Sequence, residues 1–206
     1  MELYAAYDRE RDSYRTGAES QTNIGTFDTG IVVNRIGENT NRRYMYTDTP
    51  ARTEAGIYAK GDVMIGVNGS YNAVLDDGGG MNHQAVIGAD YSFLSGKVVT
   101  ESSFYYNHDG VRDFNRTPYP GSFPGRLYNY SGVSYTIDDF STTGIRAFSS
   151  LLDGHSALIV PWCETRLYRG LTAAIMIFGV TGSGGDAYSV DRYTDYGVSA
   201  RLIGTF

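Results

Sequence analysis

Apolar and polar residues alternate with a period of two along most of this 206-residue chain. Such alternation marks strands, because successive strand side chains point to opposite faces. The longest clean run is 63–75, where Val63, Ile65, Val67, Gly69, Tyr71, Ala73 and Leu75 stand against Met64, Gly66, Asn68, Ser70 and Asn72. That is long for a soluble strand, which usually has about 5–6 residues. Residues 84–94 repeat the pattern, with Ala85, Ile87, Ala89, Tyr91 and Phe93 opposite Gln84, Gly88, Asp90 and Ser92. The chain also closes on it: Tyr196, Val198, Ala200, Leu202, Gly204 and Phe206 share one face, and Asp195, Gly197, Ser199, Arg201, Ile203 and Thr205 the other.

Read in order, the pattern predicts strands at 2–8, 24–35, 43–47, 53–60, 63–75, 84–94, 97–107, 127–137, 143–152, 157–165, 171–180 and 195–206. The stretch 9–22 is too hydrophilic for a core and reads as a loop. Gly61-Asp62, Ser95-Gly96, Asp138-Asp139 and Asp153-Gly154 supply turn chemistry. Connections at alternate ends fall into two classes. One end has 36–41, Gly61-Asp62, Ser95-Gly96, 138–141 and 166–169, all short; the other has 9–22, 48–52, 76–82, 108–125 and 181–192, mostly long, with Asp153-Gly154 as the exception. The expected fold is all-β: one domain over 1–206, a transmembrane antiparallel up-and-down β-barrel of about 12 strands. No helix and no internal repeat is evident.

Composition narrows the function classes. Gly (26) and Tyr (18) are frequent and Pro is scarce (5). Tyr suits both strands and a membrane–water interface. The net charge of −6 is made of interspersed acids and bases, so no basic field points to a nucleic-acid partner. One Cys, Cys163, excludes an intramolecular disulfide, and His83, His108 and His155 lack metal-ligand spacing, so neither a metal nor a cofactor is expected. A spanning helix needs about 20 apolar residues and none exists, whereas a spanning strand needs only about 9–11 with one apolar face. Mean hydropathy, −0.30, is compatible with the second case. Met1-Glu2-Leu3-Tyr4 leads straight into a strand pattern, so the expectation is a chain without its targeting region, either mature or the tail of a longer protein.

The terminal strand Asp195–Phe206 is similar to the C-terminal targeting strand of Gram-negative outer-membrane β-barrels, which ends in an aromatic; Gly204 departs from it where many such strands carry a second large apolar residue. The turn, strand pair and glycine loop beginning at Asp153 also resemble the closing region of porin-like members. The resemblance spans nearly the whole chain as a pattern, without a family-specific motif. It implies a bacterial outer-membrane location, partnership with outer-membrane lipid, and recognition by barrel-assembly machinery through the last strand.

If the apolar face meets lipid, the opposite face lines a lumen. Its charges by strict alternation are Asp28, Glu54, Lys60, Asp90, Glu101, Arg146, Glu164, Arg166 and Arg201. They either steer ions or pair to stiffen the interior; five acids and four bases give no strong selectivity. Tyr71, Tyr91, Tyr106, Tyr135, Tyr196 and Phe206 fall on the apolar face and fit interfacial girdles, or ordinary sheet packing. Trp162 falls on the lumen face by alternation, but a bulge at Pro161 would reverse its side, so it is left unassigned. His83 near Asp76 and Asp77, and His108 beside Asp109, are local acid–histidine pairings, and no enzyme is expected from them. The function expected is a porin-like passive channel for small solutes or ions. The alternatives are a membrane-anchoring or translocator barrel of a longer protein, and a soluble β-sandwich binding protein.

Overall fold

The computed structural model describes residues 1–8, 13–37, 51–110, 126–152, 155–168, 170–183, 186–188 and 195–204. They form twelve strands: β1 (Glu2–Asp8), β2 (Ser13–Ile24), β3 (Phe27–Ile36), β4 (Arg52–Asp62), β5 (Gly66–Asp76), β6 (Met81–Phe93), β7 (Val98–Asn107), β8 (Leu127–Thr136), β9 (Ser141–Ser150), β10 (Ser156–Tyr168), β11 (Leu171–Thr181) and β12 (Tyr196–Gly204). They lie in one sheet in sequence order, an up-and-down antiparallel meander. Two compact units divide it within β6, Met1–Ile87 and Gly88–Phe206.

Within the first unit the ladders put Ser20, Ile31, Ile57 and Tyr71 in one row across β2–β5, and Ala18, Val33, Ala55 and Ala73 in the next row on that face. Within the second, Tyr135, Thr143, Cys163, Ile175 and Ala200 make such a row across β8–β12. Pro161 sits mid-strand in β10 opposite Ile145, and the pairing of β10 with β11 skips 160–161 and resumes unshifted at Trp162↔Met176. A proline has no N–H to give the ladder, yet the register holds on both sides of it.

Two boundaries differ from the sequence expectation. Residues 13–24 form β2, not a loop. One β2 face reads Tyr14, Thr16, Ala18, Ser20, Thr22 and Ile24, which alternates in size and β-propensity although hydropathy scores it as polar. The connection expected at Gly61-Asp62 is strand, and the turn falls at 63–65, with Met64 at φ 78° and a Val63 N–H to Ile65 carbonyl bond of 3.0 Å. Gly61 is a glycine for a different reason, since the Phe27 ring lies over it, 2.6 Å from where a Cβ would stand. The weak strand expected at 43–47, the turn Asp153-Gly154 and residue Phe206 lie outside the described residues.

With β2 in place the connections at the two ends differ less cleanly in length, since 9–12 and 77–80 are no longer than 94–97 and 137–140. In the first unit 25–26 and 63–65 lie at one end, and 9–12, 37–51 and 77–80 at the other. In the second unit 94–97, 137–140 and 169–170 oppose 108–126, 151–155 and 182–195. Ile36, placed by sequence in a connection of the short end, is the last residue of β3 and lies at the other end.

Closure is a further difference. β1 pairs with β2 and β12 with β11, and among the described residues neither has a second partner, so the sheet has two free edges and is not closed into a barrel. Period-two alternation fixes which side chains share a face; it carries no information on whether first and last strands meet.

The apolar face is left open. Ile31, Ile57, Ile87, Ile145, Ile175, Val198 and Leu202 are all exposed. The only buried apolar residues among those described are Tyr128, Ala187 and Tyr188.

Candidate functional site

The polar faces carry the chemistry. In the first unit Asn34 pairs with Glu54, and Asp28 with Lys60, which places Asp28, Glu54 and Lys60 on one face. Glu54 is contacted by two guanidinium groups, Arg15 at 3.9 Å and Arg52, whose Nε is at 3.0 Å. Asn34 is buried and its Oδ1 accepts the Tyr4 hydroxyl. Tyr58, opposite Gly30, donates its hydroxyl to Glu19 at 3.3 Å.

In the second unit Glu101 and Arg146 flank Gly132 on neighbouring strands, while Glu164 and Arg201 flank Ala174. Arg166 is opposite Thr172, just before the one register shift in β10. All five of these charges therefore share the polar face of that unit. The Tyr130 hydroxyl donates to Glu101, and the Arg146 guanidinium lies 4.7 Å from the centre of the Trp162 ring. Such stacking orients a guanidinium while leaving N–H groups for other partners. Trp162, which the sequence left open, is thus on the polar face, opposite Gly144. Asp90 is exposed in β6, one residue before Tyr91, whose carbonyl accepts the Thr100 hydroxyl at 3.3 Å.

A rule missed from sequence unites these faces: large side chains lie over cross-strand glycines. Tyr4 faces Gly17, Tyr58 faces Gly30, Trp162 faces Gly144 and Phe178 faces Gly197. A Cβ at any of them would stand 2.3–2.9 Å from the facing ring. Glycines that read as strand weakeners are the floor on which the rings lie flat. Only the cross-strand register reveals the pairing.

The aromatic residues of the apolar face separate into levels. Tyr91 and Tyr135 lie near the short-turn end of the second unit, and Tyr106 and Tyr196 near its long-connection end. Tyr71 is central in β5, where its hydroxyl meets His83 Nδ1, while Tyr106 reaches His108 Nδ1 at 3.4 Å. The two histidines that sequence paired with aspartates thus hydrogen-bond tyrosines. Among the described residues no cluster of His, Cys, Asp or Glu could hold a metal.

At the long-connection end of the first unit Arg35 forks onto Asp77, with Nη1 at 2.7 Å from Oδ1 and Nη2 at 2.5 Å from Oδ2. The Asp77 carboxyl is held below the usual carboxylate range chiefly by these hydrogen bonds, against the opposing cost of burial, with the guanidinium charge adding a smaller pull downward. A depressed folded value means that the contact stabilises above the ordinary aspartate range and is lost as pH falls through the lower folded value. The thermal midpoint of wild type should therefore exceed that of Asp77→Asn near neutrality, and the two should converge in acid. An unchanging gap across that window would exclude the carboxylate as the cause.

Each unit is thus an antiparallel sheet with one exposed apolar face and one polar face that carries charges of both signs and aromatic rings laid over glycines. Comparison with family models, curated proteins and solved structures finds no match.

Proposed function

We propose that this chain forms an outer-membrane β-barrel acting as a porin-like passive channel for small solutes or ions. The observation that carries this reading is the exposed apolar face on a single sheet. A soluble protein rarely leaves so much contiguous apolar surface open, and the soluble β-sandwich alternative has no second sheet among the described residues to cover it. Hydrocarbon is the solvent such a face suits. Most of the strands are also long enough, at 9–13 residues, to cross a bilayer when tilted. In lipid no backbone N–H or carbonyl can stay unpaired, so the free edges of β1 and β12 must find ladders, most simply with one another.

On this reading Asp28, Glu54, Lys60, Asp90, Glu101, Arg146, Glu164, Arg166 and Arg201 line the lumen, and Tyr91, Tyr106, Tyr135 and Tyr196 mark the two membrane interfaces. Lipid is the partner of the outer face, and barrel-assembly machinery of the last strand. Mixed charges hydrate the path without strong selectivity. Planar-bilayer recording of the refolded protein should show stepwise conductance. Folded protein, identified by heat-modifiable migration, that passes no current would sink the channel.

The two free edges favour a second reading, in which the sheet is a wall of a larger anchoring or translocator barrel. The open reading frame upstream of Met1 discriminates, since further alternating strands there would select the larger barrel.

A further inference from the structure

The segment after β11 turns back onto the polar face. Asp186 accepts the Ser183 N–H at 2.6 Å and returns its own N–H to the Ser183 carbonyl at 3.0 Å. Ala187 and Tyr188 come onto the row Tyr105, Tyr128, Ser150 and Ser156, which crosses β7–β10 at the long-connection end. The Tyr188 N–H donates to Ser156 Oγ at 3.1 Å, and its ring meets Tyr128 edge-on with centroids 6.3 Å apart. Tyr105, Phe148, Leu158 and Val180 pack around them. Gly182 permits the descent: a Cβ there would stand 2.3 Å from the Tyr188 carbonyl oxygen and 2.7 Å from Ser156 Cβ.

Two features give this contact a meaning beyond loop packing. Tyr128, Ala187 and Tyr188, at 3%, 6% and 8% exposure, form the one buried apolar cluster among the described residues, and it lies on the polar side. The floor beneath includes Ser150 and Ser156, hydroxyls that water can hydrate when uncovered. Removing the segment therefore leaves no stranded polar group.

We propose that Asp186–Tyr188 is a strap that closes the polar face at its long-connection end, latched by Tyr188 against Tyr128 and Ser156. This rests on the channel reading above. Solute passes when the latch lets go, and the serines then face water.

The test uses the full chain refolded in lipid, with Cys163→Ser as background. Ala187→Cys should react with a water-soluble maleimide about ten-fold or more slowly than the exposed Ser183→Cys, because it waits on local opening. Equal rates overturn the strap whatever the channel does. In single-channel recording Tyr188→Ala should raise conductance above wild type, while Tyr188→Phe, which keeps the ring, should match wild type. Conductance of Tyr188→Ala at the wild-type level overturns the closure. Should Tyr188→Ala fail to fold, Ser156→Ala removes the anchor with little loss of volume and should shift conductance the same way. A silent wild type beside a conducting Tyr188→Ala supports the strap. Silence of every folded variant, with position 187 still protected, removes the channel reading and the closure with it.

Discussion

Ile175→Arg is expected to cut the yield of folded, membrane-inserted protein sharply, while Met176→Arg, one residue along, should insert nearly as well as wild type. Ile175 is central in β11, opposite Cys163 and Ala200 on the apolar face, and it is 54% exposed. In a soluble sheet an arginine at so open a position would change stability by about 0.5 kcal/mol or less. Facing hydrocarbon near the bilayer midplane it costs about 2–4 kcal/mol, a factor of about 30 or more in the folding equilibrium. Met176 lies opposite Trp162 and Ser199 on the polar face, where an added guanidinium stays wet. Refolding into lipid vesicles, scored by heat-modifiable migration, measures both. Equal yields would overturn the face assignment and the membrane reading together.

The contrast between these neighbours comes from the register with β10, since 171–180 is apolar on both faces; elsewhere period two assigns faces without knowledge of the fold. The same logic placed Asp28, Glu54 and Lys60 on one face of the first unit, and Glu101, Arg146, Glu164, Arg166 and Arg201 on one face of the second. Hydropathy failed at β2, whose small and hydroxylated side chains are neither clearly inside nor outside. The total of twelve strands thus agreed although its membership did not: 13–24 enters, while 43–47 lies outside the described residues. Gly61-Asp62 misled for a related reason. A glycine signals a turn only when its φ demands one, and Gly61 is a glycine because Phe27 lies across it.

Contacts that depend on register were not legible. Nothing local to Trp162 says that it faces Gly144 beneath Arg146, or that Tyr188 comes down on Tyr128 from sixty residues further along the chain. Such pairings follow only once the strands are aligned, because a one-residue slip turns every side chain to the other face. Closure of the edges is beyond alternation for the same reason.

The glycine rule makes a prediction of sign. Gly144→Ala should destabilise the folded protein by about 1–3 kcal/mol, the range for overfilling a packed site, whereas Gly69→Ala should stabilise it by about 0.4–1 kcal/mol by restricting the unfolded chain. The chemical change is identical and both sites are in mid-strand. At Gly144 the new Cβ would stand 2.5 Å from the Val133 carbonyl oxygen and 2.9 Å from Trp162 Nε1. The first is backbone of β8, paired with β9 at Val133↔Ile145 and Ser134↔Gly144, so it moves only if the ladder moves. The second belongs to a ring with Arg146 stacked upon it. At Gly69 the nearest atom is 3.6 Å away, an ordinary contact, and φ is not in the left-handed region. Denaturant midpoints of the two variants in the same lipid or detergent provide the comparison. A stabilised Gly144→Ala would mean that Trp162 does not lie over β9, and the arrangement of Glu101, Tyr130, Arg146 and Trp162 would have to be redrawn.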